Sequence, residues 1–194
     1  MANPPPGMSR DDFIQAVDHA IRARKTAKIS GDVTNCLEQT DAHQERIREA
    51  VTGIIEAAGW SPYHKAAHKM HLNDPMTSPV PWRFYVLDKT ACCGLLNAIR
   101  SQAETNSDPK WERAMLKRIP RLLAGTDVLI QVTWLPEPAN SGDVVEFSHR
   151  NIEHVAAASA AIQNLMLAAE ARGMHTYWSS GGILRESILF DMMG

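Results

Sequence analysis

The stretch from Glu153 to Gly182, EHVAAASAAIQNLMLAAEARGMHTYWSSGG, constrains the fold more than any other part of the chain. Its alanines and its apolar residues at spacings of three and four predict a long helix from about Arg150 to Ala171, stopped at Gly173. The face through Ile152, Val155, Ala156, Ser159 and Ile162 carries small side chains, which let another helix approach closely. His175-Thr176-Tyr177-Trp178 then reads as a short strand, and Ser179-Ser180-Gly181-Gly182 as a loop at its carboxyl end. Glycine loops in that position are common cofactor sites in folds that mix helix and strand. The same four residues also suit a plain strand-to-helix connector with Ser180 near a cap.

A chain of 194 residues, 44% apolar and 22% charged, is enough for one domain with its own core, and residues 1–194 are read as a single domain. A net charge of −2 gives nucleic acid and anionic membranes no electrostatic hold. No apolar run reaches the roughly 18–20 residues of a membrane helix. The opening MANPPPGMSRDD lacks the apolar stretch of a secretory leader, and residues 1–8 read as a disordered tail. The cysteines are Cys36, Cys92 and Cys93. An odd count with two adjacent members predicts free structural thiols, no zinc site and a reducing cytoplasm.

Ser9 and Asp12 form a capping pair before a first helix, Arg10 to Ala23. Lys28 to Asp41 reads as a loop. A second helix carries Ile47, Val51, Ile54, Ile55 and Ala58 on one face and ends at Gly59-Trp60-Ser61-Pro62. After the irregular segment 63–80, Trp82 to Leu87 reads as a strand, Thr90 to Ser101 as a helix, and Pro109 to Leu123 as a helix broken or kinked at Pro120. The unbroken apolar run Asp127 to Trp134 suits a central strand covered on both faces. A loop, Leu135 to Asp143, leads to the long helix, and Ile183 to Met193 forms the last one. The tryptophans read as core or interface residues. The whole is an α+β domain, rich in helix.

Two clusters could carry chemistry. Arg22, Arg24, Lys25 and Lys28 flank Thr26 at the end of the first helix. Guanidinium and ammonium groups with a hydroxyl suit a phosphate, although cations at a helix C-terminus also suit its dipole. The second cluster is His64, His68, His71 and Met70, with Met76 further on. His64 and His68 would share a face if the segment were helical, a spacing that suits a metal or, with methionine, haem. A surface loop over a pocket mouth is the plainer reading of the same residues. His149 and His154 are assigned no role, His149 being placed to cap or to pair with Glu146 or Glu153.

In order, these segments resemble the FMN-dependent nitroreductase family. Its first helix ends in a pattern like Ile-x-x-Arg-Arg-Ser-x-Arg, matched in type by Ile21, Arg24-Lys25-Thr26 and Lys28. Its second helix ends in Ala-Pro-Ser or Ser-Pro-Ser, as here in Ala57-Ala58-Gly59-Trp60-Ser61-Pro62, and its Pro-Trp-x-Phe strand start looks like Pro81-Trp82-Arg83-Phe84. Asp127–Trp134, Ala161-Ile162-Gln163-Asn164-Leu165 and Gly173 to Gly181 follow in the family order. Two departures stand out: residues 63–80 are an insertion, and the family's Asn-x-Gln is absent.

The resemblance implies a nitroreductase-like fold, with a central mixed or antiparallel sheet, flanking helices, a long central helix and a homodimer. It implies FMN held by Arg24, Lys25, Thr26 and Lys28 at its phosphate and by the backbone of Ser180, Gly181 and Gly182 at its ring. Pro62, Tyr63, His64 and Trp82 would lie at the ring edge or substrate. The implied activity is NAD(P)H oxidoreduction of small electron-poor substrates such as nitroaromatics or quinones, by a ping-pong route. No residue is assigned as an acid or base, because the flavin does the chemistry. The alternative is a non-redox protein on the same fold, binding haem or another tetrapyrrole through His64, His68, His71 and Met70.

Overall fold

A computed structural model describes residues 3–29, 33–72, 77–116, 118–138 and 148–193. Helix α1 (Arg10–Ala23) starts where Ser9 Oγ accepts the Asp12 N–H at 3.1 Å. Helix α2 (Asp41–Gly59) is capped by Thr40 and buries Val51, Ile54 and Ala58. Strand β1 (Trp82–Leu87) leads through the cap Asp88 into α3 (Lys89–Thr105). Helices α4 (Pro109–Leu116) and α5 (Arg118–Gly125) follow. Pro120 does not break α5; it sits in the first turn of that helix, where a missing N–H is tolerated. Strand β2 (Leu129–Trp134) and the long helix α6 (His149–Glu170) complete the frame.

β1 and β2 pair antiparallel, Trp82 opposite Trp134 and Leu87 opposite Leu129. Among the described residues this is the whole sheet, so β2 is not a central strand; all six of its residues are half-buried. Both faces are nonetheless in use. Trp82 and Phe84 pack on α6 and α2, while Leu87 and Leu129 join the cluster of α3, α4, α5 and α7 (Ser187–Met193). The expected strand at His175 is a single bridge, Thr26 to Thr176. The last helix is two pieces, a 3₁₀ turn at Gly182–Arg185 and then α7, because extended Glu186 caps α7 and pairs with Lys110 at 2.9 Å.

Helix α6 is turned relative to the sequence expectation. Its buried side runs through His154, Ala158, Ala161, Leu165 and Ala168, where Trp82 and α2 come in. Ile152 and Val155 are left 52% and 42% exposed. Helix α1 buries no residue at all, and Ile14, Val17 and Ile21 face outward. Trp60 is exposed too, against the core reading, whereas Trp111 is buried.

The thiol expectation is overturned. Cys36 and Cys93 form a disulfide, Cα–Cα 6.0 Å, and Cys92 alone remains free and buried. Cysteine usage therefore gives no support to a reducing compartment. Among the described residues, no helix is long and apolar enough to cross a membrane. Of the sequence expectations, Met76, Glu146 and residues 139–143 lie outside the described residues.

Candidate functional site

Where α1 ends, Arg24 donates its N–H to Ala20 O and turns the chain extended. Thr26 then bridges in parallel to Thr176, and Ala27 N–H donates to Thr176 O at 2.9 Å. This joins the cation tract to the segment that follows α6, from opposite ends of the chain. Lys25, Thr26 and Lys28 are exposed and Arg24 is half-buried. Arg24 Nε is buried without a partner among the described residues. A buried N–H of a cation with no acceptor is costly, and an anionic oxygen would satisfy it. The tract therefore fits a phosphate.

Gly173 ends α6 with a positive φ of 69°, and Met174 N–H reaches back to Ala169 O at 2.9 Å. Six residues past the turn, Ser179 Oγ accepts the Gly181 N–H at 3.1 Å. Gly181 and Gly182 have φ of 84° and 57°, so the backbone there requires glycine. A Cβ at Gly182 would meet nothing within 4 Å, which leaves that backbone open to approach. The Gly181 N–H, expected to face a flavin ring, is already engaged by Ser179.

The third group lies elsewhere along α6. Ser61 is buried and accepts from Asn164 Nδ2 at 2.8 Å, which fixes the end of α2 against the long helix. Pro62 is exposed, and Tyr63 stands edge-on to Trp82, centroids 5.8 Å apart. Trp82 itself is only 2% exposed, so it backs Tyr63 and does not reach the surface. His64 Nδ1 lies 3.1 Å from Glu153 Oε1, and this hydrogen bond is the main cause that holds the Glu153 carboxyl below its ordinary value. Thus Pro62, Tyr63 and His64 lie beside Glu153 to Asn164, whereas the Thr26–Thr176 bridge lies beyond the other end of α6.

The histidines do not converge. His68 Nδ1 accepts the Met70 N–H and caps a 3₁₀ turn, Lys69–His71. His71 Nε2 is 2.7 Å from Pro136 O, and Met70 is 52% exposed. Among the described residues, no group of three or more His, Cys, Asp or Glu side chains could hold a metal.

Two residues that carry this region have no role in the sequence reading. Arg83 is buried, donating to Val80 O and Trp82 O at 2.8 Å, Ser78 O at 3.1 Å and His71 O at 3.3 Å. Burial lowers its pKa, with Tyr85 opposing. His154 is fully buried with Nδ1 2.7 Å from Leu135 O. An alternating strand pattern gives no hint that Arg83 turns inward to collect carbonyls. A cavity of about 420 Å³ lies between α2 and the end of β1, lined by Ile47, Val51, Val86 and Asp127 among others; none of the candidate residues line it.

Residues 44–192 match the model of the nitroreductase family. Two solved structures share the fold. A nitroreductase-like family protein from Bacillus cereus aligns over 100% of this chain and 80% of its own, with TM-score 0.59 and 18% identity. A nitroreductase from Bacteroides fragilis, solved with FMN bound, aligns over 91% of this chain and 76% of its own, with TM-score 0.54 and 16% identity. No curated protein matches the sequence. The family match spans most of the chain and the fold agrees with it: this chain belongs to the nitroreductase family, and its fold is α+β and nitroreductase-like.

Proposed function

We propose that the chain is an FMN-dependent NAD(P)H oxidoreductase that reduces small electron-poor molecules, nitroaromatics or quinones, and works as a homodimer. The observation that carries this reading is the Thr26–Thr176 bridge, which brings the phosphate-type tract and the stem of the glycine loop together. Arg24, Lys25, Thr26 and Lys28 would hold the phosphate, with the buried Arg24 Nε supplying a donor that has no other use. Ser180 and Gly182 would orient the ring through their backbone. FMN, when bound, would supply the two-electron chemistry that links NAD(P)H oxidation to reduction of the acceptor.

Pro62, Tyr63 and His64 lie at the far end of α6 from the phosphate tract, so in the homodimer they would border the acceptor at the second copy's flavin, with Trp82 holding Tyr63 in place. The unburied faces of α1 (Ile14, Val17, Ile21) and α6 (Ile152, Val155) support a second copy as partner, since apolar stripes of this size favour burial. The test is a visible spectrum with and without added FMN. A two-banded yellow spectrum that bleaches with NAD(P)H, and is lost in Arg24→Ala, supports the reading. A protein that takes up no FMN, or an Arg24→Ala variant with unchanged flavin content, refutes it.

A further inference from the structure

The connection from Arg24 to Thr40 carries the proposed phosphate residues at its start and delivers the chain to α2 at its end. Its described residues are fastened mostly by non-covalent contacts. Ala27 N–H donates to Thr176 O, Arg100 donates to Thr34 O at 2.6 Å and to Asn35 Oδ1 at 3.2 Å, and Gln39 donates to Asp127 at 2.5 Å. Among its described residues the covalent fastening is the disulfide from Cys36 to Cys93 in α3. Both cysteines are half-buried, whereas Cys92 beside them is enclosed.

We propose that the Cys36–Cys93 disulfide is a redox latch that sets the mobility of the connection carrying the phosphate residues. A dithiol reductant attacks one sulfur, forms a mixed disulfide and is released as its own disulfide; two electrons and two protons pass to the protein, leaving two Cys–SH groups. The latch then opens, and residues 33–40 hang on Arg100, Gln39 and the packing of Val33. Cys92 does not intervene. Its thiol donates to Leu87 O, and burial pushes its pKa up to about 11, so it supplies no thiolate to scramble the pair. Freeing about one residue's worth of backbone order weakens binding at the adjoining phosphate site by roughly 10-fold. This last consequence rests on the FMN reading; the latch itself does not.

The test uses the whole protein in oxidised form and after dithiothreitol. Alkylation under denaturing conditions should count one thiol before reduction and three after, with oxidised glutathione restoring the first count. Amide hydrogen exchange over residues 33–40 should rise on reduction without any cofactor present, and FMN affinity should fall about 10-fold. Cys36→Ser/Cys93→Ser should match the reduced form under both conditions; if it does not fold, reduced wild type supplies the same readouts. Three titrating thiols in air-oxidised protein, or equal exchange in the two states, overturn the latch. Changed exchange with no FMN bound in either state upholds the latch and overturns the cofactor reading. Changed exchange with equal FMN affinity upholds the latch and removes its control of the cofactor.

Discussion

Arg83→Met should unfasten the segment that leads into β1 while keeping the shape of β1. The wild-type guanidinium ties four carbonyls, those of His71, Ser78, Val80 and Trp82. The Trp82 bond is fully buried and the other three are partly so. A buried carbonyl stripped of its donor costs about 1–3 kcal/mol, while half-exposed carbonyls recover water and lose about 0.5 kcal/mol each. Removing the cation also relieves the cost of burying it, which lowers its pKa in the fold. The net loss is on the order of 2–3 kcal/mol. For a domain of this size that is a fall in Tm of roughly 4–12 °C. Arg83→Lys keeps the charge but not the fork, and should fall between the two. Differential scanning calorimetry gives Tm, and limited trypsin digestion at Lys65 and Lys69 reports the local effect. If Arg83→Met melts within about 1 °C of wild type and Lys65 and Lys69 are cut no faster, the four-carbonyl account is wrong.

Three further outcomes follow from single residues. Gly94 lies inside α3, and a Cβ there would meet nothing within 4 Å, so Gly94→Ala should stabilise by about 1 kcal/mol in thermal unfolding. Native Cys92, its pKa near 11, should resist iodoacetamide at pH 8 and react fully once the chain is denatured. Glu153 has its pKa lowered in the fold, first by the His64 hydrogen bond. A depressed carboxyl stabilises above its unfolded value and loses that contribution as pH falls through the folded value. Carboxyl carbon NMR should therefore show Glu153 titrating below the ordinary 4.5, and His64→Ala should move it back up.

How much of this molecule was legible depends on whether the deciding interaction is local. The limits of α1 follow from Ser9 and a helical period, and the structure has the same limits, Arg10–Ala23. The face of α6 was misread because alanine lies on every side of it; which alanines go inside is decided by Trp82 and α2, and no period within the helix reports that. The run Asp127–Trp134 announces a strand, but an apolar run does not distinguish a central strand from one of a pair. The disulfide was hidden by its neighbour. Adjacent residues on a helix point about 100° apart, so Cys92 enters the core while Cys93 turns to Cys36 across 57 positions of sequence. Counting cysteines spoke only to the adjacent pair, whose members point apart.

The site divides along the same line. The glycine loop was legible because positive φ demands glycine, and Gly181 and Gly182 do adopt positive φ; the cation tract was legible only as residue types that suit a phosphate. That the two segments meet is carried by the backbone of Thr26 and Thr176, which leaves no mark on side-chain pattern. The histidine cluster shows the opposite failure. Its spacing of four brings His64 and His68 together only on a helix, and the segment is not one: His64 lies in a bend and His68 caps a 3₁₀ turn. Each ring is instead used singly, His64 on Glu153, His68 on its own turn and His71 on Pro136. Together with Arg83, these contacts fasten the segment before β1 to the first turns of α6 and the end of β2. A spacing argument for a ligand site is therefore only as good as the secondary structure it assumes, and in this segment the histidines are spent on holding the chain.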